Sequence, residues 1–198
     1  MDERIRMSLP IATVAARAAR KEIQQMARRA IPALADFAVV FVVAGRSIVG
    51  IASAHATPAG DRLLRALQRV YRIRREDLRS TVAQVVRTGR PSLRRTILQD
   101  KTSVARGSVA DLHRRLACRS ALVLPIRVGG TVTGAVTLCY AESGRTYAPG
   151  DVAGAQRLAR AIERTVLPPP LHVVPRLRAA TGDPRRSATI RRRLAPRN

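Results

Sequence analysis

Apolar residues along this chain follow two periods, and the changes from one to the other mark its elements. From Asp36 to Val43, Phe37, Val39, Phe41 and Val43 face one way and Ala38, Val40 and Val42 the other. Alternation with both faces apolar predicts a central strand covered on both sides. Ala44-Gly45-Arg46 then turns the chain, and Ile48 to His55 is expected to run back antiparallel to it. Further on, Leu122, Leu124, Ile126 and Val128 alternate onto one face of a strand, and Val132, Val136, Leu138 and Tyr140 do the same on the next, with Gly134 filling a gap. Between them Gly129-Gly130 is a two-residue loop that tolerates positive φ at both positions, as a type I′ or II′ hairpin needs. Pro125 has no backbone donor, so it predicts an edge position or a bulge within the first of these strands.

Helical spacing governs the stretches between. Residues 11–31 are expected to form the first helix, with Ala12, Ala16, Ala19, Ile23, Met26 and Ala30 recurring in steps of four and three. Such a seam either packs on its own domain or pairs with a second copy of the chain. With Ile162 and Val166 of the last helix it makes the candidate dimer interface. Thr57-Pro58 opens a helix with Leu63, Leu64, Leu67 and Val70 as its stripe, since proline is tolerated at the first position. Glu76 to Val86 reads as a short helix with Leu78, Val82, Val85 and Val86 inward, ended by Gly89 and Pro91. Ser92 to Leu98 is a weaker strand with Leu93 and Ile97 inward, Gln99 to Gly107 a polar loop, and Val109 to Leu116 a short helix. Asp151 to Leu167 is the last helix, which Pro168-Pro169-Pro170 stops. The remainder lacks apolar periodicity beyond Leu171 to Val174 and is expected to be a disordered basic tail. The chain thus divides into an N-terminal helix (1–33), a domain (34–167) and a tail (168–198).

Composition changes this picture in two respects. Aromatic residues are 3% of a chain that is 46% apolar, so the core must be built from Ala, Val, Leu and Ile. The 37 basic residues against 13 acidic ones give a net charge of +24, and all but Lys21 and Lys101 of the basic residues are Arg. That excess fits a polyanionic partner, met non-specifically through the tail, or a compositional bias toward Arg. No helix-turn-helix, zinc-finger spacing or RNP-like aromatic motif accompanies it. No apolar run approaches the ~20 residues of a membrane span. Asp2, Glu3 and Pro10 fit a signal peptide poorly, so the chain is read as cytoplasmic.

The run Leu124-Pro125-Ile126, the glycine hairpin, Gly134-Ala135-Val136-Thr137-Leu138 and then Tyr147-Ala148-Pro149-Gly150-Asp151 opening an Ala-rich helix resembles the C-terminal half of a GAF domain. Val85-Val86-Arg87-Thr88-Gly89-Arg90-Pro91 resembles the helix-to-strand junction in the middle of that family. The resemblance extends over roughly residues 11 to 167. It implies an α+β fold: an antiparallel sheet of five to six strands, with the N- and C-terminal helices on one face and a helix and loop segment that can form a pocket on the other. It also implies use as a non-enzymatic sensory or regulatory module in bacterial signalling, binding a small molecule or dimerising, and acting in trans on a kinase, phosphatase or transcription factor. The candidate ligand contacts are His55, Tyr71, Arg119, Thr133, Thr137 and Cys139. The face formed by Thr133, Ala135, Thr137 and Cys139 suits either a cavity floor or a packed helix.

No catalytic constellation stands out. There is no Walker-type phosphate loop, no Gly-x-Ser-x-Gly elbow and no His-Glu-x-x-His. His55, His113 and His172 have no metal-like spacing to each other or to Cys118 and Cys139, and no haem or bilin signature is present. The family also includes free methionine-(R)-sulfoxide reductases, whose chemistry needs a nucleophilic and a resolving thiol within reach. Cys118, with Arg114 and Arg115 before it, is the candidate nucleophile for that alternative, and Cys139 falls mid-strand rather than in the loop before Arg106. An Arg-rich nucleic-acid-associated protein is the other alternative.

Overall fold

The doubly apolar strand lies where its pattern requires. In a computed structural model that describes residues 3–97 and 108–165, the strand β1 (Phe37–Ala44) is third in a six-stranded sheet. Its partners are β2 (Ser47–His55) and β6 (Thr131–Tyr140), both antiparallel. β3 (Arg72–Arg74) pairs with the first part of β2, and β5 (Ser120–Val128) with β6 and with β4 (Ser92–Arg94), giving the order β3-β2-β1-β6-β5-β4. Five helices accompany it among the described residues: α1 (Glu3–Arg29), α2 (Pro58–Val70), α3 (Thr81–Thr88), α4 (Ser108–Leu116) and α5 (Asp151–Thr165).

Each face of the sheet has its own core. Ala38 and Val40 of β1, Leu122, Leu124 and Ile126 of β5, and Val136 and Leu138 of β6 pack under α1 and α5, meeting Ile23, Ala27, Ala155, Ala159 and Ile162. Phe37, Val39 and Phe41 face the other way and pack with Leu64 and Leu67 of α2, Val85 and Val86 of α3, and Leu116 of α4. With so few aromatics, alanines carry much of the first core and let the helices lie close to the sheet. Gly134 has the same cause in a sharper form. A Cβ there would stand 2.2 Å from the carbonyl oxygen of Phe41 on the neighbouring strand, so only glycine fits.

The ends of the sheet are tied by one carboxylate. Asp36, 5% exposed, donates its N–H to the Cys139 carbonyl (2.9 Å) and accepts from Ala56 N–H (2.8 Å) at its own carbonyl. Its Oδ2 accepts from the N–H groups of Ala141 (2.7 Å) and Ser143 (2.9 Å). Burial raises the Asp36 pKa, but those donors, with Arg145 nearby, outweigh it and hold the carboxyl below its ordinary value. Arg145 lies 4.3 Å over the Tyr140 ring and donates to the carbonyls of Pro32 and Ala33. Tyr147 stacks on Tyr140 and donates its hydroxyl to Leu34 O (2.7 Å).

The structure departs from the sequence reading at several points. The first helix begins at Glu3 rather than residue 11. The helix expected from Glu76 starts at Thr81, where Ser80 caps it by accepting from Ala83 N–H; Leu78 lies before the cap and is 84% exposed. Val70, at the end of α2, is 54% exposed rather than inward. β3 is three residues long, too short to show alternation, and is held by Ile73 in the second core. The pairing register shifts between Ile126 and Arg127, which turns Val132 to the second core instead of the first. Pro125 pairs with Ala135 of β6 on one side, and on the other the pairing of β4 with β5 stops at Val123, so β5 is an edge there at Pro125. The loop at 99–107 and the tail at 168–198 fall outside the described residues, as do Leu98 and Val166.

Two outcomes follow. Asp36→Ala should cost about 3 kcal/mol in urea unfolding at neutral pH, since two charge-assisted hydrogen bonds are lost. Because the folded pKa lies below the unfolded value, that stabilisation is complete above the unfolded pKa of about 4 and disappears as pH falls through the folded one. Wild type and variant should therefore converge in acid, and a constant difference down to pH 2 would contradict the assignment. Gly134→Ala should destabilise by about 1–3 kcal/mol, toward the upper end because the obstructing atom is backbone; an unchanged thermal midpoint would show that β1 and β6 can separate freely.

Candidate functional site

The second face is where the candidate ligand contacts gather. β6 presents Ala135, Thr137 and Cys139 to it, between Phe37, Val39 and Phe41 of β1 on one side and Ala121 and Val123 of β5 on the other. α3 packs on β6 and β5 at this face, α2 packs on β2, and α4 lies against α2. Tyr71, just past the end of α2, is half-buried and meets His113 of α4 edge-on, with ring centroids 4.9 Å apart.

Two polar atoms in this layer lack partners. Thr137 Oγ1 and His113 Nε2 are buried and make no hydrogen bond. Burial drives the His113 pKa below its ordinary value, so the imidazole is neutral at pH 7. It raises that of Tyr71, with Asp77 adding to the effect. The two unpartnered groups are therefore uncharged, a hydroxyl and a neutral imidazole. His113 was not among the expected contacts. It lies 42 positions from Tyr71, and no local pattern links the two.

The other expected contacts divide. His55, 6% exposed, stacks on Phe37 with centroids 5.6 Å apart. Its Nδ1 accepts from Thr57 N–H (3.0 Å), and its own N–H donates to Asp61 Oδ1 (2.9 Å). A Cβ on Gly60 would fall 2.2 Å from the ring, so the start of α2 is moulded around it. His55 thus joins β2 to α2. Thr133 falls at the register shift in the hairpin, its hydroxyl 3.5 Å from Ile126 O. Arg119 is exposed, and its backbone bridges Tyr140 to Ile97. Tyr71, Thr137 and Cys139 share the second layer; Arg119 is not brought to it.

The two cysteines, separate in the sequence reading, are neighbours. Cys139 is fully buried, and its thiol lies within hydrogen-bonding contact of Cys118. Burial first, and then the Cys118 contact, pushes the Cys139 pKa well above its ordinary value, so it is a poor thiolate. Cys118, half-buried, also lies 3.5 Å from the Ser120 carbonyl. Among the described residues no group of three His, Cys, Asp or Glu side chains could hold a metal ion.

The candidate dimer residues also divide. Ile23, Ala30 and Ile162 are buried within the protomer's own cores, so they are not available to a second folded copy. Met26 is half-buried against the same core, Ala19 is half-buried and Ala16 exposed.

Residues 19–166 match the GAF domain family, and the chain belongs to that family. None of the curated proteins matches it. Among solved structures it is similar to the GAF-B domain of DevS from Mycobacterium smegmatis, at 19% identity and a TM-score of 0.52, covering 74% of this chain and 91% of that one. It is similar also to the GAF domain of a phosphoenolpyruvate-protein phosphotransferase from Coxiella burnetii (15%, TM-score 0.56, 80% and 91%). A third is the type II free methionine-R-sulfoxide reductase from Thermoplasma acidophilum (12%, TM-score 0.55, 76% and 93%). At these identities the likeness is one of fold, and that fold serves signalling proteins and an enzyme alike. No helix among the described residues is long and apolar enough to cross a membrane.

The thiol arrangement makes a direct prediction. A thiol reagent should label Cys118 in the native protein and reach Cys139 only as fast as the protein unfolds. Cys118→Ser should therefore leave native protein almost unlabelled, and rapid labelling of that variant would show that Cys139 is not shielded.

Proposed function

We propose that this GAF domain is a non-enzymatic sensory or regulatory module that takes a small, polar, uncharged molecule between its sheet and α2–α4. The observation that carries this reading is the pair of unpartnered buried atoms, Thr137 Oγ1 and His113 Nε2, in a layer otherwise apolar. An unsatisfied buried polar group costs roughly 1–3 kcal/mol, and a ligand that bonds to both would recover that cost on binding. Tyr71 would close the site from the end of α2. Binding there would shift α4 against α2, and this is the change a partner could read. The module would act in trans on a kinase, phosphatase or transcription factor, as a homodimer formed through the part of α1 that includes Ala12, Ala16 and Ala19. In the reductase alternative Cys118 is the nucleophile, and the buried, weakly acidic Cys139 beside it would be a poor resolving thiol.

Thr137→Val keeps the shape and removes the stranded hydroxyl. It should stabilise the ligand-free protein by about 1 kcal/mol, a rise of roughly 2–4 °C in thermal midpoint. Native mass spectrometry of protein isolated from its own host should show a retained small molecule, lost in Thr137→Val and in His113→Leu. Retention unchanged in both variants, or a wild type that retains nothing from a host metabolite extract, would sink the ligand reading. Sedimentation of the wild type as a monomer at micromolar concentration would sink the dimer.

A further inference from the structure

On the opposite side of α2 the sheet has an open edge. β3 pairs with β2 only from Ser47 to Val49, so beyond Val49 the outer edge of β2 has no strand neighbour among the described residues. α1 approaches this edge from one face of the sheet and α2 from the other. Side chains close it. Arg20 donates to Ile51 O (2.8 Å), and the Gln24 amide bonds both the N–H and the carbonyl of Ser53. The edge is therefore blocked against another strand.

What remains between α1 and α2 is a groove of two adjoining depressions, about 460 and 420 Å³. Its walls are cationic. α1 contributes Arg17, Arg20, Lys21 and Arg28, and α2 with the residue after Tyr71 contributes Arg65, Arg69 and Arg72. Seven of the thirteen lining residues are basic and none is acidic, against 37 basic and 13 acidic residues in the whole chain. The carboxylate behind the wall, Asp61, is already paired, at 2.7 Å with Arg28 and 3.8 Å with Arg65. The density of basic residues in the lining, seven of thirteen, is well above that of the chain, 37 of 198.

The floor adds an independent sign of a ligand. Gln68 lines both depressions, and its Nε2 is buried without a hydrogen-bond acceptor. Its Oε1 is fixed by the Ser53 hydroxyl (3.2 Å), so the amide hydrogens face away from that bond. Gly50 leaves the room for this: a Cβ there would lie 3.1 Å from Gln68 Cγ. Among the described residues no aromatic ring lines the groove, so they offer no platform on which a base could stack.

We infer that this groove binds a small polyphosphorylated anion, recognised through its phosphates. The guanidinium groups would bond phosphate oxygens in charge-assisted pairs, and Gln68 Nε2 would donate to one oxygen in the floor. The site is separate from the layer under α4 and does not rest on the function proposed for it.

Inorganic tripolyphosphate is the probe, titrated calorimetrically into the full chain at low salt without magnesium. It should bind saturably. The triple variant Arg17→Gln, Lys21→Gln, Arg69→Gln should weaken it at least tenfold, since charge-assisted bonds are lost. A control that removes the same charge from α5, Arg157→Gln, Arg160→Gln, Arg164→Gln, should change it less than about threefold, the share left to net charge by side chains that do not line the groove. Gln68→Leu alters no charge and should still weaken binding several-fold. A nucleoside triphosphate bound as tightly as tripolyphosphate assigns recognition to phosphates alone, and one bound more tightly in a groove-dependent way assigns a nucleotide. Equal losses in groove and control variants would overturn the proposal in favour of diffuse attraction. So would absence of saturable binding, or groove-dependent binding of a single-stranded oligodeoxynucleotide with tripolyphosphate ignored.

Discussion

The structure depends on β1 being buried on both faces and along both edges. A strand of Phe, Val and Ala with no polar side forces a layer of helices onto each surface, and its antiparallel neighbours β2 and β6 must reach it from separate parts of the chain. Asp36 makes that arrangement definite. It sits at the entry to β1 and bonds the end of β6, the residue after β2 and the turn that follows Tyr140. Tyr147 and Arg145 extend the same corner to residues 32–34. A chain poor in aromatics thus places two of its three tyrosines together where four segments meet.

Strands and cores were legible because the period-two signal is strong in β1, β5 and β6. Apart from α1, which begins eight residues before its expected start, each long element fell within a few residues of its expected position, and the two faces of β1 were assigned correctly. The misses share a physical cause. Val132 depends on a register shift, Leu78 on whether Ser80 or an earlier residue caps α3, and β3 on a single buried isoleucine. Each is decided by a local backbone choice that hydrophobic pattern alone does not encode. The site was less legible. Thr137 and Cys139 could be placed on the correct face of β6, because strand parity fixes it. His113 and the Cys118–Cys139 contact required knowing that α4 lies across the end of α2 and that the chain before β5 returns beside β6.

Net charge taught the opposite lesson. Spread along the sequence, the arginines read as bias or as diffuse attraction, with the tail as their natural focus. Folding sorts them. The spacing 17, 21, 24, 28 on α1 puts cations and Gln24 on one stripe, while Ile23 and Ala27 turn to the core. In α2, Leu64 and Leu67 point to the second core and Arg65, Gln68 and Arg69 to the groove. A charge count could not reveal this, because the meeting of α1 with α2 across the β2 edge is a tertiary event.

That division of α2 has an energetic consequence. Its inner stripe and the adjoining Tyr71 wall the layer under α4, its outer stripe walls the basic groove, and His55 with Asp61 bolts its first turn to β2. A ligand on either side makes contacts with one short helix, which is tied to β2 by His55 and Asp61 at its start and by Ser53 and Gln68 near its end. If ligation of the inner layer moves the far end, near Gln68 and Tyr71, it changes the geometry of the groove floor as well. Linkage then requires that each ligand alter the affinity for the other by the same factor. The buried polar atoms left without partners fall on both sides of α2: Gln68 Nε2 in the groove, His113 Nε2 and Thr137 Oγ1 in the layer. If both proposed ligands bind, α2 is the element they share, and coupling between them needs no other contact.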